Sequence, residues 1–199
     1  MIKIAIDLST TTSGLIVDRP GHKICVSTIE LKPYSQENMY YNFKLIEKHI
    51  WTGLEKVDYD DDFPEDVLVG IEVSDFGNPN ITQRFSVYSG VIQNYIYEIF
   101  GSDAKIKTFN ANQWQALIGC KKNETRDIRK HKAKVFAIKN AGYIATKWNE
   151  DECDAYGINY FLTELESTEE SHIRVQKKKQ LIKRNKLKKA KEKNNVNNN

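Results

Sequence analysis

Four carboxylates in this sequence stand where a carboxylate needs a reason. Asp7 closes a run in which Ile2, Ile4 and Ile6 alternate as along a strand. A charge at the end of a buried strand is costly unless something partners it. An Asp there could also turn the chain by bonding the backbone of Ser9 or Thr10. Glu72 interrupts the apolar run VLVGIEV, either as a neutral or salt-bridged core residue or as a ligand. Asp151 and Asp154 are three apart near the start of a helix, so both face one way. Acids also suit a helix N-terminus on their own account, which is reason enough for Glu150 and Glu152. Taken together, the four would repel one another and hold their pKa values high unless cations lie among them. Oxygen-only donors select hard ions, Mg²⁺ or Mn²⁺, over zinc.

The elements that must position these groups follow from periodicity. Ile2 to Asp7 reads as a strand, followed by the Ser/Thr turn Ser9 to Ser13 and Gly14. Leu15 to Val17 and Lys23 to Leu31 supply two further strands around a Gly21 turn, an antiparallel meander. Gln36 to Val57 has helical spacing, and the acidic stretch Asp58 to Asp66 is a solvated loop. Val67 to Val73 suits a central strand buried on both faces. After the turn-rich stretch Asp75 to Asn80, residues 81 to 100 form a helix with the stripe Ile81, Phe85, Tyr88, Ile92, Tyr95 and Ile99, widened by Val87, Val91 and Ile96. Ala104 to Phe109 is a short strand, and Asn110 caps a helix through Ile118. Gly119 to Lys134 reads as a basic loop running into a helix that ends near Gly142. Asn149 with Glu152 makes a capping box for the last core helix.

The formal net charge of +3 hides a split. Residues from Arg174 to the end carry 11 of the 30 Lys/Arg and one of the 27 acids, which leaves residues 1 to 173 at a net of −7. An acidic body that meets polyanions needs local basic surfaces or bound cations. The length suits one domain, expected over residues 1–166, with a basic, largely flexible tail over 167–199 that ends in NNVNNN. No run is long and apolar enough to span a membrane, and Cys25, Cys120 and Cys153 form no CxxC, so a reduced cytoplasm without structural zinc is the expectation.

With these pieces in place the chain resembles the RuvC-like Holliday junction resolvases, in particular their phage-encoded branch. The residues that carry the resemblance are I-A-I-D7-L-S-T-T-T-S-G14, G70-I-E72-V, the helix ending GVIQNYIYEIF, W114-Q-A-L-I-G119 and D151-E-C-D154-A155. The first loop departs from the family, where a Pro-Gly pair often follows the Asp. The resemblance implies an α/β, ribonuclease-H-like fold, a mixed sheet of about five strands flanked by helices. It implies a metal-dependent endonuclease of host-cell cytoplasm that cuts branched DNA, four-way junctions above all, and leaves 5′-phosphate and 3′-hydroxyl ends. Asp7, Glu72, Asp151 and Asp154 are then the catalytic metal ligands for two Mg²⁺ ions, replaceable by Mn²⁺, with Asp7 bridging.

The basic stretch holding Lys121, Lys122, Arg126, Arg129, Lys130, Lys132 and Lys134 is expected to contact phosphates, because the body around it is acidic. Family members probe the junction with an aromatic in the loop after the second carboxylate, where Phe76 is the nearest candidate. The resemblance also implies a homodimer paired through the helix at 81 to 100, since two sites can then cut two opposed strands. Two competing readings use the same residues. D7-L-S-T-T-T-S-G also resembles the phosphate loop of actin-like ATPases and sugar kinases, although those need a second domain. A catalytically inactive junction-binding protein of the same fold is the other.

Overall fold

The computed structural model describes residues 1–9, 11–33, 35–59, 66–73 and 79–168. Phe76 and the basic tail beyond Thr168 therefore lie outside the described residues. The chain divides into two compact units, Met1–Leu162 and Thr163–Asn199. In the second, the described residues 163–168 are helical.

The first unit is a five-stranded mixed sheet. Strands β1 (Ile2–Asp7), β2 (Thr12–Asp18) and β3 (Cys25–Glu30) form the antiparallel meander. β4 (Val67–Glu72) and β5 (Ala104–Phe109) extend it in parallel, in the order β3-β2-β1-β4-β5. β1 and β4 are central and buried at every position. Alternation sorts their side chains between two cores. Ile2, Ile4, Ile6, Val67, Val69 and Ile71 face α1 (Gln36–Lys56) and α2 (Pro79–Phe100). Ala5 and Leu68 belong to the second core, with α3 (Ala111–Leu117), α4 (Arg126–Ala141) and the helical residues 150–162, here α5.

Two expectations change. The stretch from Gly119 to Lys134 is a loop only to Thr125, which caps α4, so most of its cations ride on a helix. The helix at 81 to 100, expected to pair with a second copy, turns its stripe to its own sheet: Phe85, Tyr88 and Ile92 are buried in the first core. Tyr88 packs its ring 5.0 Å from that of Phe43, and its hydroxyl accepts a 2.9 Å hydrogen bond from the buried Asn42 amide. A two-helix layer over one sheet face needs this width of apolar surface. Among its described large apolar side chains, α2 leaves Val87, Val91 and Tyr97 exposed. Among the described residues no helix is long and apolar enough to cross a membrane.

Candidate active site

Asp7 and Glu72 end adjacent parallel strands. The β1–β4 register pairs Ile6 with Ile71, and the next step on each strand is a carboxylate. Their positions share the strand parity of Ala5 and Leu68, so both point to the face covered by α3 and α5. The Ser9 amide does not bond Asp7, since it donates to the buried Ser13 hydroxyl at 3.1 Å.

The third element arrives through a cap and a glycine. Asn149 and Glu152 form the reciprocal capping box, each backbone N–H donating to the other's side chain at 2.9 Å, and the Asn149 amide also donates to Thr28 on β3. This fixes the first turn of α5 over the sheet. Opposite Asp7 in the β1–β2 register stands Gly14, where an added Cβ would lie 2.0 Å from the Asp151 carbonyl oxygen. Only a residue without a side chain lets α5 approach this closely, and the approach delivers Asp151 and Asp154 to Asp7. All four carboxylates line one open cavity of about 810 Å³.

The same cavity is also lined by basic side chains. Arg126, Arg129 and Lys130 project from the first turns of α4, at the spacing that puts residues on one helix face. Lys130 reaches across to the acids, its Nζ 2.5 Å from Asp154 and 3.5 Å from Asp151. Burial pulls its pKa down, but Asp154, Asp7 and Asp151 together outweigh that and hold it above the ordinary lysine value. Arg129 donates to Gln115 at 3.3 Å, and its buried Nε has no partner among the described residues.

One ammonium does not neutralise four acids. Burial, then Glu72 and Asp154, push the Asp7 carboxyl well above the usual range. Burial likewise pushes Asp154 up to about 6, in spite of the opposing pull of Lys130. Among the described residues, no three acidic, histidine or cysteine side chains stand as a ready coordination cage. The geometry accounts for this, since Asp154 is drawn to Lys130 and the Trp114 indole holds Glu72 at 2.5 Å. The donor set nevertheless suits a hard divalent cation: every donor is a carboxylate oxygen, and the surplus negative charge is what such an ion relieves.

The remaining basic candidates are placed differently. Lys132 donates to Glu124 and to the Gly119 carbonyl, and Lys134 to the carbonyls of Thr146 and Trp148, so both stitch α4 to its neighbours. Lys121 and Lys122 are exposed. Sequence reading assigns no site role to Trp114, Gln115, Asn110 or Asn112, although Asn110 reads as a cap and Trp114 and Gln115 fall within the W114-Q-A-L-I-G119 motif. Trp114 is the buried partner of Glu72, and the other three line the cavity. Only Trp114 left a signal, a large aromatic one turn into a short helix after a strand.

No protein-family model matches the chain. A protein from Ureaplasma parvum serovar 3, uncharacterized protein UU157, is 36% identical over 191 residues, which cover 93% of this chain and 80% of the relative. Among solved structures, RuvC of T. thermophilus in complex with Holliday junction substrate superposes with a TM-score of 0.59 at 12% identity, over 83% of this chain and 96% of that one. A second Thermus thermophilus RuvC structure gives 0.58 at 13% identity with the same coverage. The fold is thus the mixed five-stranded, ribonuclease-H-like α/β fold of RuvC.

Proposed function

We propose that this chain, which belongs to the family of the Ureaplasma parvum protein UU157, is a divalent-metal-dependent endonuclease that hydrolyses phosphodiester bonds in branched DNA, four-way junctions in particular. The observation that carries this reading is the meeting of Asp7, Glu72, Asp151 and Asp154, from three separate elements, at one cavity faced by Arg126, Arg129 and Lys130. The RuvC fold, seen in one neighbour with a Holliday junction bound, supports it.

In this reading Asp7, Glu72, Asp151 and Asp154 hold the cation, with Asp7 central between Glu72 and the α5 pair. Bound there, Mg²⁺ or Mn²⁺ supplies Lewis-acid activation of water and stabilises the departing 3′ oxygen, leaving a 5′-phosphate. The protein's own part is to orient the strand. Arg126 and Arg129, which line the same cavity, meet phosphate oxygens, where a guanidinium can pair two oxygens at once. Lys130 becomes available to a phosphate once its carboxylate partners are neutralised by other means. Trp114 holds Glu72 in one rotamer, and the basic face of α4 tracks the flanking backbone.

The test is cleavage of end-labelled four-way junction, matched duplex and single strand in Mg²⁺ and in Mn²⁺, by the wild-type chain and by Asp7→Asn. Junction cleavage to 5′-phosphate ends, lost in the variant while binding persists, supports the proposal. Tight junction binding with no cleavage in either metal makes the chain an inactive binder of the same fold.

A further inference from the structure

We propose that the outer edge of β3 docks an extended acidic segment of a partner protein, which joins the sheet as a further strand. β3 is a terminal strand of the sheet and pairs only with β2, so among the described residues no strand takes up its other edge. Half of its backbone N–H and C=O groups face that way. A polypeptide with its own alternating donors and acceptors satisfies such an edge.

Two cavities flank this edge, one on each face of the sheet. The first, about 400 Å³, is lined by Ile24, Val26, Ile144 and Trp148. The second, about 290 Å³, is lined by Ser27, His49 and Thr52, and both share Cys25 and Lys56. Successive side chains of an added strand point to opposite faces, so a cavity on each face receives neighbouring residues.

Charge selects the occupant. Lys23, Lys48 and Lys56 line these cavities, and among the described residues no acid does. The side chains between them sense the positive field. The His49 imidazolium is disfavoured first by burial and then by Lys48 and Lys56, and Lys56 pulls against burial at the Cys25 thiol. This stands out on a body whose residues 1 to 173 carry a net of −7. A phosphate backbone meets lysines equally well, but it has no donors for the open carbonyls and nothing apolar for the half-buried Ile24 and Val26. The surface also lies away from the carboxylates. Cys25 pairs with Val17, and Val17 with Ile4, whereas Asp7 pairs with Gly14 at the far end of the same ladder. The inference therefore goes beyond the proposed nuclease activity and does not rest on it.

The probe is a fluorescein-labelled peptide of about eight residues alternating glutamate and valine, enough for one added strand. Its anisotropy is read against the full chain. Saturable binding is expected, weakened about tenfold or more when alternate peptide nitrogens are methylated, and by a similar factor in Lys23→Gln/Lys56→Gln. Both lysines are exposed, and an unchanged melting temperature checks the fold. Absence of binding at millimolar peptide overturns the proposal, as does indifference to N-methylation. So does displacement of the peptide by an oligothymidylate of matched length. If the lysine variant self-associates while binding the peptide as before, the lysines only keep copies apart and the proposal also fails.

Discussion

The indole N–H of Trp114 donates to the Glu72 carboxylate at 2.5 Å, joining α3 to the end of β4 across 42 residues of chain. The same ring fills the space over Gly157, where a Cβ would come within 2.6 Å of it, so one side chain fixes β4, α3 and α5 relative to one another.

Trp114→Phe should separate this ring's two jobs. Phenylalanine retains most of the packing and removes the donor. A hydrogen bond to a charged group contributes about 1.5–3 kcal/mol, so junction cleavage should slow by roughly tenfold or more. The melting temperature should fall by only a few degrees. Single-turnover cleavage measures the effect, and a rate within twofold of wild type would remove Trp114 from the positioning of Glu72.

Gly14→Ala should be far more damaging than its size suggests. The new methyl would sit 2.0 Å from the Asp151 carbonyl, so α5 must retreat and carry Asp151 and Asp154 with it. Overpacking of this kind costs about 1–3 kcal/mol and here also opens the site. Gly90→Ala is the control: it lies within α2 with nothing within 4 Å of its Cβ position, and it should be neutral or slightly stabilising. Equal melting temperatures and activities for the two variants would refute this role for Gly14.

Much of the site was legible because its logic is local. Asp7 and Glu72 broke apolar runs, and the Asn149/Glu152 box announced α5 with Asp151 and Asp154 in its first turns. The bounds of β5, Ala104–Phe109, and the start of α1 at Gln36 match those read from the chain. What the chain's order did not reveal was non-local. Nothing in a window around Trp114 points to Glu72, and the basic run around Lys130 reads as one patch. The fold splits that run between the cavity (Arg126, Arg129, Lys130) and internal ties (Lys132, Lys134). The stripe through Tyr88 and Ile92 has the same pattern whether it meets its own sheet or a second copy, and periodicity cannot distinguish the two.

The acids predict how metal-free protein responds to pH. Asp154 is held at about 6 and Asp7 also well above the usual range, so the folded state binds more protons than the unfolded one between the unfolded value near 4 and the folded values. The two acids' contribution to stability is then fully present below pH 4, falls as pH rises through about 6, and levels off above the folded values. In chelator, melting temperature should drop from pH 5 to pH 8. Asp7→Asn should flatten that slope, and added Mg²⁺ should raise the pH 8 value in wild type more than in the variant. A melting temperature that rises steadily over this interval, or ignores Mg²⁺, contradicts the electrostatic account of the cluster.

Assembly is the remaining consequence of the α2 packing. Tyr88→Glu and Ile92→Glu place a charge into the first core, where Tyr88 is 5% and Ile92 2% exposed, and each should unfold the chain. Val87 and Val91, each 39% exposed, are one helical turn apart, and their replacement by Glu should leave the fold intact. Scattered exposed apolar residues are ordinary, so the two valines do not by themselves make an interface. If the chain pairs through α2, they are the adjacent apolar pair that the helix offers for it, with Tyr97 further along. Light scattering at micromolar concentration should then show a wild-type dimer and a folded Val87→Glu/Val91→Glu monomer. The monomer should nick junctions without pairing the two cuts. A wild type that is already monomeric, or a double variant that remains dimeric, would remove this face of α2 from the assembly.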